Sequence, residues 1–285
     1  MKTENTMLAG FVERVQRTVA VARSERPLSE LNRMIRDAPD RRAFGDAIAS
    51  GFGLIAEIKT RSPSQGDMRA VNVADAPGAY TDSTIVHALS VLTNGPDFGM
   101  SIERLLDVKS ATTKPVLRKE FMVDPYQLHE ARAFGADAVL LMTQVLDSQA
   151  LQRLFDTACD LDLEVLVECH SPDDISRCPA GTRIYGLNSR QMLTGRREYD
   201  AAKADRETTA TRRDFTTDPS IFKNIEQLPS DVLKVAESGL RPDNLHLVTE
   251  LGFNAALVGS DLLLHPDGVV AALKEFESVM INLLG

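Results

Sequence analysis

The sequence lacks the features that would point to a membrane, an exported protein or a nucleic-acid partner. No apolar run approaches the roughly 18 residues of a membrane-spanning helix. The N-terminus has no basic segment followed by an apolar stretch and a small-residue cleavage site. Basic residues are also outnumbered, because 32 lysines and arginines face 41 acidic residues, a formal net charge of −9. We therefore expect a cytoplasmic protein that binds neither nucleic acid nor membranes, and any anionic ligand must be held by a local site.

Cysteine and histidine are scarce, and their spacing excludes the usual metal motifs. The three cysteines, Cys159, Cys169 and Cys178, have no C-x-x-C spacing, which suits reduced thiols in a reducing compartment. The five histidines form no H-x-x-x-H or H-x-H pair. These are the spacings that commonly place two imidazoles on one metal ion. We expect no metal site.

The composition is that of an ordinary globular protein. Hydrophobic residues make up 43% and charged residues 26% of the 285 positions, close to the averages for folded domains. This length allows one large α/β domain or two modest ones. Residues 1–50 form a helical extension: the apolar positions of residues 5–24 recur at helical spacing, and shorter helical patterns follow at 28–35 and 42–49.

From residue 54 onward, short apolar runs alternate with helical patterns. Eight runs are rich in Val, Ile, Leu and Ala, as is typical of parallel strands buried on both faces: 54–59, 85–92, 115–119, 138–142, 165–169, 184–188, 233–238 and 255–259. Helical patterns occupy 72–80, 101–111, 126–134, 147–161, 172–177, 219–227, 242–250 and 268–283. The alternation predicts a TIM (β/α)8 barrel with an N-terminal helical extension, as one domain over residues 1–285. A doubly wound sheet is the alternative, but the first strand lacks the G-x-G-x-x-G turn.

One segment interrupts this alternation, between the sixth and seventh strands. Residues 195–218 hold six basic and six acidic residues with almost no large apolar side chain. Such a segment cannot build a core, so we expect a solvated extended loop. Because the segment follows a strand end, a lid over the site is the alternative interpretation.

The predicted strands end in an unusual number of polar residues. In a barrel, the carboxyl ends of the strands meet at one mouth, where reactions occur. Lysines beside glutamates there favour proton transfer on an anionic substrate. Glycines at the last two strand ends suit phosphate, and an arginine suits a carboxylate. The strand-end residues are Glu57, Lys59, Lys119, Glu168, Asn188, Arg190, Glu237, Ser238, Gly259 and Ser260.

The motifs that carry these residues resemble a known family. IAEIKTRSPSQG, SVLTN, PVLRKEF, GADAVLLM, LVECH, GLNSR, AESG and LVGSDLL occur in this order along the whole chain, and together they resemble indole-3-glycerol phosphate synthase. The resemblance implies a carboxy-lyase of tryptophan biosynthesis that converts 1-(2-carboxyphenylamino)-1-deoxyribulose 5-phosphate into indole-3-glycerol phosphate, carbon dioxide and water. It implies no metal and no organic cofactor. We expect a monomer or a weak homodimer.

The resemblance also implies roles for individual residues. Lys119 would be the general acid that polarises the substrate ketone, Glu168 the base, and Lys59, with Glu57 and Asn188, would assist the dehydration. Arg190 with Ser62 would hold the anthranilate carboxylate, Glu237 would orient these groups, and Phe98 would contact the substrate. Phosphate would be surrounded by Ser238, Gly239, Gly259 and Ser260.

Several departures from the family pattern leave alternatives open. N-N-R is N-S-R here through Ser189, K-D-F is K-E-F through Glu120, S-P-S-K-G is S-P-S-Q-G through Gln65, and the T-F-x-V-D after the sixth strand is lost. These changes lie toward the aryl end of the substrate. One alternative is a paralogue that performs the same chemistry on a modified anthranilate-derived substrate. The other is a non-catalytic barrel that binds sugar phosphates, although such a barrel would not need Lys59, Lys119 and Glu168 together.

Overall fold

The protein folds as a closed eight-stranded parallel barrel. The computed structural model describes residues 6–192 and 215–285. Each strand pairs in parallel with its neighbours in chain order, and the last strand pairs with the first. The strands are β1 (Gly53–Ile58), β2 (Val86–Leu92), β3 (Val116–Lys119), β4 (Ala138–Met142), β5 (Glu164–Cys169), β6 (Ile184–Asn188), β7 (Leu233–Glu237) and β8 (Ala255–Val258). The predicted TIM (β/α)8 barrel is confirmed.

The strands are apolar on both faces, as a parallel barrel requires, because one face packs in the interior and the other against the helices. All six residues of β1 are buried, as are all five residues of β4 and of β6. Alternate side chains along each strand fill the interior or pack against the surrounding helices. The polar residues of these strands are concentrated at the carboxyl ends, which positions them at the mouth of the barrel.

The α-helices surround the sheet and precede it. They are α1 (Thr6–Glu25), α2 (Leu28–Asp37), α3 (Phe44–Ala49), α4 (Ala70–Asp82), α5 (Gly95–Phe98), α6 (Ile102–Ala111), α7 (Pro125–Ala133), α8 (Ser148–Asp160), α9 (Pro172–Ser176), α10 (His246–Thr249), α11 (Ser260–Leu263) and α12 (Val269–Leu284). The helices α1–α3 confirm the N-terminal helical extension.

After β6 and β7, the predicted helices take a different form. Pro219–Gln227 is a 3₁₀ helix, and Pro242–Asn244 is a short 3₁₀ turn that leads into α10. Phe222 and Ile225 in the first of these, and Leu228 directly after it, are buried and recur every three positions. A 3₁₀ helix has three residues per turn, so it places these side chains on one line.

The end of the extension is fixed to the amino-terminal side of the barrel. The Glu164 carboxylate, at the start of β5, accepts hydrogen bonds from the amides of Phe44 (2.6 Å) and Gly45 (3.1 Å) at the start of α3. A carboxylate at a helix N-terminus satisfies amides that have no partner within the helix. Asp137, just before β4, likewise accepts the Arg42 amide at 2.7 Å and the Lys109 ammonium at 2.5 Å.

Helix α1 contacts the opposite side, where the strands end. The Arg14 guanidinium donates to both carboxylate oxygens of Asp97 on α5, at 3.2 and 2.8 Å. The Phe11 ring stacks on Phe121, with ring centroids 5.2 Å apart. Since Asp97 follows β2 and Phe121 follows β3, the extension supports two of the loops at the mouth.

A short antiparallel hairpin follows β6, formed by Arg190–Met192 and Phe215–Thr217. Most of the predicted loop at 195–218 lies outside the described residues. Within the described ranges, no helix has the length and hydropathy needed to cross a bilayer.

Candidate active site

A cavity of about 640 Å³ opens at the carboxyl ends of the strands. Every strand supplies residues at or just after its end, so the barrel closure itself assembles the wall. Among the residues that line the cavity are Glu57, Lys59, Lys119, Glu168, Asn188 and Arg190. Ser238, Gly239, Gly259, Ser260 and Phe98 also line it. The structure thus brings together most of the residues that the strand ends indicated.

Glu57 and Lys59 form a buried ion pair at the end of β1. Strand alternation places both side chains on the same side, and the ammonium lies 2.5 Å from Glu57 Oε1. Burial alone would raise the pKa of Glu57, but the ammonium groups of Lys59 and Lys119 bring it below its ordinary value. Burial lowers the pKa of Lys59, and the positive charges of Arg190 and Lys119 act in the same direction. Of the two lysines at the mouth, Lys59 therefore releases a proton more easily than Lys119.

Lys119 lies between carboxyl groups on two other strands. Its ammonium is 2.8 Å from Glu237 Oε2 and 3.7 Å from Glu57 Oε2. Burial alone would lower the pKa of Lys119, but the charges of Glu237, Glu57 and Glu168 raise it above its ordinary value. The two lysines at the mouth therefore differ in acidity although they share Glu57.

Glu168 and Glu237 are carboxyl groups that resist ionisation. Both are almost completely buried. Burial raises the pKa of Glu168, and it raises the pKa of Glu237 to about 7 against the opposing charge of Lys119. The His170 imidazole lies 3.5 Å from Glu168 Oε1, and burial lowers the pKa of His170 to about 4, so this ring is neutral near pH 7.

The mouth combines cationic side chains with carboxyl groups of unequal acidity. Three cationic side chains, those of Lys59, Lys119 and Arg190, face three carboxyl groups, of which only Glu57 has a lowered pKa. Since the pKa of Glu237 is about 7, this carboxyl is partly protonated at neutral pH and offsets the nearby cations less than a fully ionised carboxylate would. Cationic side chains that line a cavity, as Lys59, Lys119 and Arg190 do here, attract anionic ligands.

Two glycines make room for the carboxylates. A Cβ atom on Gly186 of β6 would overlap Glu237 Oε1, and one on Gly259 would overlap Glu57 Oε1. Both carboxylates thus occupy space that any other residue at these two positions would fill.

Arg190 contacts a different serine from the one that the turn sequence suggested. Arg190 Nη1 donates to Ser64 Oγ at 3.3 Å, and the Arg190 amide donates to Asn188 Oδ1 at 2.9 Å. Ser62 Oγ instead accepts the Gln65 amide within the turn, at 3.1 Å, and Ser62 does not line the cavity. Two serines flank one proline here, and only the folded turn decides which of them faces Arg190.

Two kinds of surface line the cavity. Ser238, Gly239, Gly259 and Ser260 line it directly after the neighbouring strands β7 and β8, together with Thr217, which had no signal in the sequence. Apolar side chains, namely Leu92, Phe98, Phe121, Leu140 and Met142, also line the cavity. The wall therefore offers backbone and hydroxyl groups for an anion as well as an apolar surface for a ring.

Glu120, which the sequence marked only as a departure from the K-D-F motif, supports the loop that carries Phe98. Its carboxyl oxygens accept hydrogen bonds from Thr93 Oγ1 (3.1 Å), Asn94 Nδ2 (3.1 Å) and the Phe121 amide (2.9 Å). Asn94 in turn caps α5 by accepting the Asp97 amide at 3.0 Å. Glu120 thus links the ends of β2 and β3.

The fold and the cavity define a (β/α)8-barrel protein whose mouth presents three cationic side chains, which suit a small anionic ligand. Comparison with known proteins gives the family. The family model for indole-3-glycerol phosphate synthase matches residues 8–198. The chain belongs to the indole-3-glycerol phosphate synthase family, whose members bind a phosphorylated substrate.

Curated relatives carry the same name over nearly the whole chain. The protein from Saccharopolyspora erythraea is 35% identical over 262 residues, covering 90% of this chain and 90% of the relative. The protein from Leifsonia xyli subsp. xyli is 35% identical over 280 residues, covering 96% and 98%. Both are named indole-3-glycerol phosphate synthase.

Solved structures with similar folds are more distant in sequence. The 3-hexulose-6-phosphate synthase from Salmonella typhimurium has a TM-score of 0.57 at 14% identity, covering 81% of this chain and 99% of that one. KGPDC from Streptococcus mutans has a TM-score of 0.57 at 12% identity, covering 83% and 100%. At these identities, the likeness supports the barrel fold alone.

Proposed function

We propose that this chain is an indole-3-glycerol phosphate synthase of tryptophan biosynthesis. It converts 1-(2-carboxyphenylamino)-1-deoxyribulose 5-phosphate into indole-3-glycerol phosphate, carbon dioxide and water. The observation that carries the proposal is the placement of Lys119 between Glu237 and Glu57, with Lys59 beside it, in a cavity that also presents apolar side chains, hydroxyl groups and glycines. Two lysines of different acidity suit a reaction in which one oxygen atom must receive two protons in succession.

The substrate has three groups that the cavity can hold. Ser238, Gly239, Gly259 and Ser260 would surround the phosphate through hydroxyl and backbone N–H groups. Arg190, with Ser64 in place of Ser62, would bind the anthranilate carboxylate, since a guanidinium presents paired donors to a carboxylate. The aryl ring would lie against Phe98. Asn188 would orient Arg190, because its side-chain oxygen accepts the backbone amide of Arg190.

Ring closure comes first. The aryl carbon bearing the carboxylate attacks the ketone carbon, and Lys119 donates a proton to the ketone oxygen, which becomes a hydroxyl group. Carbon dioxide then leaves, and the electrons of the broken carbon–carbon bond restore the aromatic ring. Glu237 and Glu57 hold the Lys119 ammonium in place for this step.

Dehydration completes the reaction. Glu168 removes a proton from the new ring, and the hydroxyl group departs as water after it receives a proton from Lys59. Burial favours this division, because it lowers the pKa of Lys59 and raises the pKa of Glu168, which makes the lysine a better acid and the glutamate a better base. Every step is a proton transfer or a rearrangement of substrate electrons, so the reaction requires no metal and no organic cofactor.

The test is a turnover assay with the carboxyphenylamino-deoxyribulose phosphate, followed by indole fluorescence and by release of carbon dioxide. The wild-type protein should turn the substrate over, and Lys119→Met should lower kcat by at least about 100-fold, as is typical when a general acid is removed. Lys223→Met, at an exposed position outside the cavity, is the matched control and should leave kcat unchanged. Binding without turnover by the wild-type protein would contradict the proposal, as would full activity of Lys119→Met.

We further infer that the enzyme works in the cytoplasm as a monomer or weak homodimer. All three cysteines are free thiols, which suits a reducing compartment. Sedimentation of the purified protein across a range of concentrations measures the oligomeric state.

A further inference from the structure

The backbone after β7 turns through a conformation that non-glycine residues seldom adopt. Ser238 has a φ of 71° and Gly239 a φ of 70°. In the described parts of the chain, only Asp162 and Ser238 have a positive φ without being glycine. A non-glycine residue in this left-handed region is strained, and it stays there only when its surroundings hold it. We call Ser238–Gly239 the phosphate loop, after its proposed ligand.

Ser189, directly after β6, holds this loop through its side chain. Its hydroxyl donates to the Ser238 carbonyl oxygen at 2.9 Å, and its amide donates to the Glu237 carbonyl oxygen at 3.0 Å. Ser189 is only 1% exposed, so water cannot replace these bonds readily. The hydroxyl therefore acts on the residue that is strained.

The same serine connects the phosphate loop to the hairpin that follows β6. The Ser189 carbonyl oxygen accepts the Asp218 amide at 2.7 Å. Next to Asp218, the side chain of Thr217 lies 2.9 Å from the position that a Cβ atom on Gly239 would occupy. The phosphate loop is thus held by the Ser189 hydroxyl on one residue and packed against Thr217 on the next.

We propose that Ser189 is a positioning residue for phosphate: its hydroxyl keeps Ser238 in the left-handed conformation that presents the phosphate loop to the cavity. The inference rests on the proposed function, because it assumes that this part of the cavity receives the phosphate group. Ser189 itself transfers no proton, so it acts on the binding of the phosphate group rather than on the chemical steps.

The binding of inorganic phosphate by calorimetry tests the proposal without requiring turnover. Ser189→Ala should raise the Kd for phosphate about fivefold, the effect of losing one neutral hydrogen bond. In the turnover assay, KM should rise by a similar factor, whereas kcat should stay within about twofold of wild type, since the Lys and Glu groups are unchanged. Ser189→Thr keeps the hydroxyl and should restore wild-type Kd and KM.

Two further variants separate this role from general damage to the fold. Ser90→Ala removes another buried hydroxyl from the barrel, one that has no hydrogen-bond partner among the described residues, and it should leave the Kd unchanged. Ser189→Cys fills nearly the same space with a weaker donor and should bind phosphate as weakly as Ser189→Ala. Melting temperatures of all variants are measured alongside.

The outcomes are distinct for the two proposals. Wild-type affinity for phosphate in Ser189→Ala and Ser189→Cys would overturn the positioning role, and so would a lack of phosphate binding by the wild-type protein. If the wild type binds phosphate, and Ser189→Ala weakens that binding, but the substrate is never turned over, the positioning role stands and the synthase activity fails.

Discussion

Glu237 should make the protein less stable as the pH rises, and Glu237→Gln should remove this dependence. Burial raises the pKa of this carboxyl from 4.5 to about 7, so the folded protein retains a proton that the unfolded chain releases. A group whose pKa is raised by folding contributes stability below its unfolded pKa, and that stability is lost as the pH rises through the folded value. At about 1.36 kcal/mol per pKa unit, the full effect is ~3 kcal/mol, of which ~2.5 kcal/mol falls between about pH 5 and about pH 8.

The measurement is urea unfolding of both proteins at these two pH values, followed by far-UV circular dichroism, because the chain has no tryptophan. The free energy of unfolding of Glu237→Gln minus that of wild type should be ~2.5 kcal/mol larger at the higher pH than at the lower pH. Taking this difference between pH values cancels any effect of the amide that does not depend on pH.

Glu226→Gln, at an exposed position, is the matched control for the chemical change. An equal difference at both pH values for Glu237→Gln would show that the native carboxyl is already ionised at the lower pH. That result would refute the argument from burial, and it would leave Lys119 paired with a permanently charged partner.

Two further predictions concern parts of the molecule away from the mouth. Asp137→Asn should destabilise the protein by ~3–5 kcal/mol without changing kcat, because it leaves the buried Lys109 ammonium uncompensated at the opposite end of the barrel. Urea unfolding measures the loss, and the exposed variant Asp231→Asn is the control. A loss below ~1 kcal/mol would contradict the prediction. Cys159 is exposed and should react first with a thiol reagent such as Ellman's reagent, whereas Cys169, whose pKa is raised by its contact with the Cys178 thiol and by burial, should react only after unfolding. Rapid modification of Cys169 in native Cys159→Ser would show that this strand end is open to solvent.

The barrel could be predicted from the sequence because its strands are apolar on both faces. The run at 54–59 forms β1 (Gly53–Ile58), and the run at 184–188 forms β6 with the same bounds. Strand ends and helix types were less well determined. The helix expected at 219–227 is a 3₁₀ helix, since its apolar residues recur every three positions, a spacing that also occurs within the α-helical pattern.

The strand-end rule located the charged residues of the site but not their partners. Lys59, Lys119 and Glu168 converge because parallel strands end at one mouth. The choice of Ser64 rather than Ser62 beside Arg190 depends on the geometry of a turn, and the bonds of Ser189 depend on a neighbouring strand. Neither has a signature in residue spacing. The domain boundaries and the roles of the individual site residues stay predictions.

The space that Gly186 and Gly259 leave for Glu237 and Glu57 has a consequence for anyone who alters this enzyme. A variant library that preserves every lysine and glutamate at the mouth, yet samples freely at these two positions, would be depleted of active members, because any larger side chain must displace a carboxylate. The substitutions that this mouth tolerates least therefore include two at residues that have no functional group at all.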